Sequence, residues 1–300
     1  MQEATSRDGR RGRHIMRRHP WHGPCALGYR RNGFDYPVRT MLVAITREVS
    51  PSLGDCQLTH VARAPIDVTR AEAQHRAYQR VLASLGCRVL TLEAEPSMPD
   101  AVFVEDVAIV LDEVAVMTRP GAKSRRGEGA SVAELLARYR PLRRIEAPGT
   151  IDGGDVLRTG RAIYVGQSGR SNAEGISQLQ QAVVEFGYRV QSVPIRGCLH
   201  LKSAVTAVRD DMLLLQPAWV DPVSFPGFNI IEVHPEEEHA ANILRFGDVA
   251  VMPACFPRTA QRLRDAGVEV VTVDVAELQK AEGATTCCSL VFEEAVSTRC

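Results

Sequence analysis

No stretch of this 300-residue chain keeps free of charge for about 18 apolar residues, so none reads as a membrane-spanning helix. The apolar core of a signal peptide is missing too. Eight cysteines occur, but none in a C-x-x-C pair or another spacing typical of metal sites. Scattered thiols of this kind predict a reducing compartment, and the cytoplasm is the expected location. Net charge is also lacking, since 36 basic and 36 acidic residues cancel. That balance hides an asymmetry. Residues 1–40 carry nine arginines, no lysine and three acids (Glu3, Asp8, Asp35), a net of +6, which leaves −6 for residues 41–300. The opening "RDGRRGRHIMRRHP" has no apolar periodicity, and residues 1–40 are expected to be a disordered extension ahead of a start near Met41; a nucleic-acid arm or an organelle address is the alternative. The mildly acidic remainder argues against nucleic acid as its partner and suits a cationic small molecule; no membrane partner is expected.

What is present is an ordinary globular composition, 45% hydrophobic and 24% charged, with a recurring pattern. Two apolar runs separated by a short polar turn appear in "VAIVLDEVAVMT", "DVLRTGRAIYVG", "TAVRDDMLLL" and "ILRFGDVAVMP". Each is a hairpin signal, and the roughly 40–50-residue spacing is that of a repeat architecture. Helical stretches such as "TRAEAQHRAYQRVLASLG", "NAEGISQLQQAVVEFG" and "PRTAQRLRDAG" follow, ending at Gly86, Gly187 and Gly267 where a left-handed cap belongs. A single strand comes next. The unit is strand, strand, helix, strand, and "MLVAIT" near Met41 can pair with "CCSLVF" near the C-terminus to close a fifth unit. The expected fold is an α/β-propeller with fivefold pseudo-symmetry over residues 41–300, built of ββαβ units; a doubly wound sheet is the alternative. A ring brings residues distant in sequence to one axis.

Four stretches are more polar than folding requires. In "MPDAVFVEDVAIV", Asp100, Glu105 and Asp106 flank an apolar strand, where carboxylates must be paired or bound to a cation; a guanidinium would meet them through two-pronged hydrogen bonds. "TIDGGDVL" brackets two glycines with Asp152 and Asp155, weak evidence by itself. "LHLKSAV" sets His200 near Lys202, a possible proton shuttle if a thiol and an acid lie close. "GAKSRRGE" and "GRSNAEGI" offer Arg125, Arg126 and Arg170 ahead of helix starts, a possible carboxylate site. "HPEEEH" spaces His234 and His239 wrongly for a zinc helix, and its acids read as a solvated face. Cys25, His14, His19 and His22 lack ligand spacing.

"TTCCSLVF" reads as a strand. Alternation then puts Cys287 with Thr285 and Ser289 on a polar face, and Cys288 with Leu290 and Phe292 toward the core. Both could also be buried, inert thiols.

Taken in order, "SPSLGDCQL", "VTRAEAQHRAY", "PDAVFVEDVAIV", "TRPGAKSRRGE", "DGGDVL", "HLKS" and "TTCCS" make the chain, from about Val43 to Phe292, resemble the dimethylarginine dimethylaminohydrolases of the guanidino-group-modifying superfamily. The superfamily's fivefold propeller agrees with the repeat. The resemblance implies a hydrolase of methylated arginines that forms citrulline through a covalent cysteine adduct, with no metal or organic cofactor. It implies Cys287 as nucleophile, His200 as proton shuttle and Asp152 as its orienting acid. Asp106 and Glu105 would hold the substrate guanidinium, Arg125 and Arg170 its α-carboxylate, and Asp100 with the backbone near Leu58 its α-amino group. The segment around "SLGDCQL" would be a mobile lid, and the molecule a monomer or homodimer. An arginine deiminase, a more distant amidinotransferase and a non-catalytic amino-acid-binding propeller are the rival readings.

Overall fold

The computed structural model describes residues 29–31, 34–36 and 39–296. The expected disordered extension lies largely outside them. Within it, β1 (Tyr29–Arg31) and β2 (Phe34–Tyr36) form a short antiparallel hairpin. Cys25, His14, His19 and His22 fall outside the described residues.

From Arg39 onward the chain forms five three-stranded sheets. The first begins with β3 (Arg39–Arg47), helix α1 (Val68–Ser84) and β4 (Arg88–Leu92). The second contains β5 (Ala108–Val110), β6 (Ala115–Met117), helix α2 (Ala130–Leu136) and β7 (Leu142–Arg144). The third has β8 (Val156–Thr159), β9 (Ala162–Gln167), helix α3 (Ala173–Val183) and β10 (Arg189–Pro194). After the single turn α4 (Leu201–Ala204), the fourth is built of β11 (Val205–Arg209), β12 (Met212–Leu215) and β13 (Asn229–Glu232). The fifth holds β14 (Leu244–Phe246), β15 (Val249–Pro253), helix α5 (Pro257–Asp265) and β16 (Glu269–Val273). A last turn, α6 (Ala276–Gln279), leads to β17 (Leu290–Val296), which returns to β3.

Every sheet repeats one pairing: first strand antiparallel to the second, second parallel to the third. β17 supplies the first strand of the sheet that β3 and β4 began, with Leu290 opposite Ile45 and Phe292 opposite Val43. The ends of the array are thereby joined, which removes two open strand edges. This is the fivefold propeller of ββαβ units. One unit departs from the pattern: β12 connects to β13 through a 3₁₀ turn, Pro222–Ser224, in place of a helix.

Local chemistry explains the elements. The middle strands are apolar on both faces because both are covered; Ala115–Met117, Leu213–Leu215 and Ala250–Met252 are all buried. Helix α1 starts where Asp67 caps the N–H of Arg70, and buries Ala71, His75, Tyr78 and Leu82 at three- and four-residue spacing. It stops at Gly86, whose φ of 90° is left-handed, as are those of Gly187 after α3 and Gly267 after α5. The "HPEEEH" segment is no helix. Its Glu237 is buried and accepts the N–H groups of Arg258 and Thr259 at 2.9 and 2.7 Å, capping α5, so one of the acids expected in a solvated face is structural. Among the described residues no helix is long and apolar enough to cross a membrane.

Candidate active site

Loops from four units meet in a pocket of about 20 Å³ lined by Asp100, Asp106, Arg170, His200, Cys287 and neighbours. That volume holds roughly one water molecule, so the groups around it are held together closely.

Cys287 is placed by a turn rather than a strand. Residues 285–288 form a turn and β17 begins only at Leu290, so strand alternation does not decide which thiol faces the pocket. Side-chain anchors do. The Tyr78 hydroxyl on α1 donates to the carbonyl of Thr285 at 2.8 Å, and the Asn242 amide brackets Thr286 at 3.0 and 3.1 Å. The Thr286 hydroxyl donates to Glu105 at 2.8 Å, and the Glu105 N–H donates to the Cys287 carbonyl at 3.2 Å. Cys288 turns away into the core, fully buried, with its thiol 3.4 Å from the Ala284 carbonyl. The two thiols thus part as the sequence suggested, for a different reason.

His200 sits just before α4. Its Nε2–H donates to Asp152 Oδ2 at 3.1 Å, and its Nδ1 lies 3.8 Å from Asp106 Oδ1. The glycines between Asp152 and Asp155 are required by this crowding. A side chain on Gly154 would lie 2.5 Å from the imidazole, and one on Gly153 1.9 Å from the Glu105 carbonyl. The Gly154 N–H also donates to Asp106 at 2.9 Å.

The electrostatics follow from burial set against partners. Burial alone would depress the imidazole, but Asp106, Asp152 and Asp155 overcome it and push His200 up to about 9. Burial would raise Asp106, yet His200, Arg125 and the Gly154 N–H hold it down to about 2. Cys287 is pushed up to about 12 by burial, with Glu105 and Asp106 adding to the effect. The resting site therefore pairs a protonated thiol with an imidazolium and an ionised carboxylate. Asp106, Asp152 and His200 also bring potential ligand atoms within 4.8 Å of one another, the grouping that could hold a metal ion.

Not every expected residue stands as expected. Arg125 is buried with each guanidinium nitrogen committed: Nη1 to Asp106 at 2.6 Å, Nε and Nη2 to Glu128, and Nη2 also to the carbonyls of Asp100 and Phe103. It lines the pocket and braces Asp106, with its guanidinium already paired there. Glu105 does not line the pocket; its carboxylate is taken by Lys202 and Thr286, because a buried acid without a cation would be costly. Leu58 is likewise outside the lining and packs on the core, while the Gln57 N–H next to it reaches Asp100 at 3.2 Å. Arg170 does line the pocket, and its Nη2 donates to the Thr59 hydroxyl at 3.1 Å. Asp100 lines it too, its carboxyl raised by burial against the pull of Arg125.

Sequence reasoning missed Phe103, Leu199 and Glu282 in the lining. Glu282 accepts the N–H groups of Thr59, His60 and Val61 and so fastens the expected lid. It is also the one described non-glycine residue with positive φ, 59°. A lone glutamate between "QKA" and "GA" gave no signal of that role.

The fold is an α/β-propeller whose pocket gathers a thiol, an imidazole and carboxylates. A solved structure of the Pseudomonas aeruginosa dimethylarginine dimethylaminohydrolase, a cysteine-to-serine variant complexed with citrulline, superposes with a TM-score of 0.79 at 36% identity, covering 84% of this chain and all of that one. A second solved structure, a dimethylarginine dimethylaminohydrolase histidine variant in an adduct with S-methyl-L-thiocitrulline, also gives 0.79 at 36% identity, over 83% of this chain and 98% of that one. In sequence, the Streptomyces coelicolor dimethylarginine dimethylaminohydrolase is 43% identical over 253 residues, 84% of this chain and 97% of that protein. The family described as N,N dimethylarginine dimethylhydrolase, eukaryotic, matches residues 60–293. The chain belongs to the dimethylarginine dimethylaminohydrolase family.

Proposed function

We propose that the protein hydrolyses Nω-methylated arginines, asymmetric dimethylarginine and monomethylarginine, to citrulline and dimethylamine or methylamine. The observation that carries this reading is the closed pocket itself, in which a buried thiol, a histidine pushed up to about 9 and the ionised Asp106 face one another. The names and ligands of the relatives point the same way.

Roles follow from the geometry. Asp106, braced by Arg125, receives the guanidinium through charge-assisted hydrogen bonds. Arg170 takes the α-carboxylate and Asp100 the α-ammonium, each giving up its present contact with the segment 57–59. Glu105, tied to Lys202 and to the Thr286 hydroxyl, anchors the turn that carries Cys287. A thiol near 12 is inert at neutral pH, so the guanidinium charge arriving beside the sulfur must favour the thiolate. The Cys287 proton passes to solvent as the substrate enters, and the thiolate adds to the guanidinium carbon. His200, as imidazolium, protonates the departing amine while the C–N bond breaks, leaving a thiouronium on Cys287; general-acid help of this kind is worth roughly 10²–10⁴ in rate. The now neutral His200 takes a proton from water as that water attacks the same carbon. Cleavage of the C–S bond restores the thiolate and frees citrulline, whose remaining hydroxyl proton passes to solvent as the carbonyl forms. Asp152 holds the imidazole in place throughout. A nucleophilic thiol of this kind fits the reducing cytoplasm.

Citrulline release from asymmetric dimethylarginine, measured beside plain arginine, tests the reading. Turnover of the methylated substrate is expected. Turnover of arginine alone would make the protein a deiminase, and turnover of neither by folded protein would overturn the proposal.

A further inference from the structure

One buried carboxylate next to the site has no part in the steps above. Asp155 is wholly buried. Its Oδ2 accepts the hydroxyl of Ser168 and, at 2.6 Å, that of Ser171; its Oδ1 accepts the N–H of Leu201 at 3.0 Å. Those donors lead to three parts of the pocket. Leu201 follows His200 directly and opens α4. The Ser171 oxygen accepts the N–H of Asp152 at 3.2 Å. The Ser168 oxygen accepts the N–H groups of Arg170 and Ser171 at 2.9 and 3.3 Å. The neighbouring strand is cut back to admit this hub: a side chain on Gly166 of β9 would lie 2.8 Å from Asp155 Oδ1 and 2.9 Å from the Leu201 side chain.

We propose that Asp155 is a positioning residue that fixes His200, Asp152 and the Arg170 loop relative to one another through three accepted hydrogen bonds. The ionised carboxylate accepts all three with no proton of its own, whereas a protonated one sets an O–H donor among three donors and weakens its acceptors. Its surroundings make that ionisation conditional. Burial pushes Asp155 up to about 6, against His200, the two hydroxyls and the Leu201 N–H; the Cys198 thiol also lies near it. The imidazole it helps to place is faced by Asp106 and Asp152 as well, with Cys287 across the pocket. As pH falls through about 6 the hub loses an acceptor, and turnover should fall with it.

This inference rests on the proposed reaction, and its test reads the histidine as well as the rate. Asp155→Asn, Ser171→Ala and Ser168→Ala would be compared with the wild type in thermal stability, in kcat and KM for asymmetric dimethylarginine, and in the NMR titration of the His200 ring, assigned with a His200→Gln variant. For folded Asp155→Asn, kcat should fall about 100-fold, the loss that a misplacement near 1 Å produces, and His200 should titrate at lower pH. Ser171→Ala should act mainly on kcat and Ser168→Ala mainly on KM, because the first serves Asp152 and the second the Arg170 loop. Folded Asp155→Asn with unchanged kcat and an unchanged His200 titration would overturn the proposal. So would a loss of rate that only follows the unfolded fraction while His200 titrates as in the wild type. The titration needs no turnover, so an inactive wild type would sink the reaction and leave this inference decidable.

Discussion

Two cavities differ in ways that separate space from chemistry. The larger, about 460 Å³, lies among the first strands of all five sheets, β5, β8, β11, β14 and β17. The smaller, about 20 Å³, is enclosed by loops. Volume alone would choose the first as the site. Yet charged groups along that cavity, such as Arg158 paired with Asp112 and Arg245 paired with the exposed Asp210 outside it, are partly open to water. The small one gathers a thiol, an imidazole and opposed charges out of water, where each shifts the ionisation of the next. Glu105, Lys202 and Thr286 line the larger cavity, while the backbone of Glu105 holds the Cys287 loop of the smaller. Reactive potential here follows burial and charge density, and a site closed around one water-sized space is small because it is assembled.

Substitutions on either side would break or sharpen this contrast. The largest effect should come from Cys287→Ser, which abolishes citrulline release, whereas Cys288→Ser keeps it and loses about 1–2 kcal/mol of stability, since the new buried hydroxyl can still donate to Ala284. Assay and urea denaturation of the two variants would check this, and an active Cys287→Ser would remove the nucleophile from the small pocket. Next is pH. A general acid must be protonated, and His200 is protonated below about 9, so kcat should fall as pH rises through that value; a rate still rising well above it would deny His200 the role. Lys202→Met comes third. It strands a buried acid, and breaking such a pair typically costs about 3–5 kcal/mol. Burial already raises the Glu105 carboxyl above its unfolded value, so its ionisation in the fold is increasingly penalised as pH rises. The stability deficit should be larger at pH 8 than at pH 5, read from melting curves at both. Smallest is Asp210→Asn on the larger cavity's ion pair. Asp210 is itself 91% exposed, so less than about 1 kcal/mol and no change in turnover are expected.

Much of the frame was legible in the chain. The hairpins, the helix ends at Gly86, Gly187 and Gly267, and the closing pair of "MLVAIT" with the C-terminal strand are local or two-period patterns that a sequence displays directly. The residue types of the site were legible too. Less visible was how the charges divide. Arg125 and Arg170 look alike in the chain, but only Arg125 folds among Asp106, Glu128 and two carbonyls. Glu105 and Asp106 are neighbours whose carboxylates part, one to Lys202 and one to His200 and Arg125. "TTCC" has strand-like residues and becomes a turn because Tyr78 and Asn242, from other units, hold it there.

By itself the sequence determined the repeat and its closure, because hydrophobic period and turn chemistry act over a few residues. It also set which thiols, imidazoles and acids were available near the axis. Tertiary structure alone decided which of them face one another and in what ionisation state. A carboxylate's pKa and an arginine's partners depend on groups brought together from distant units and on the water excluded between them.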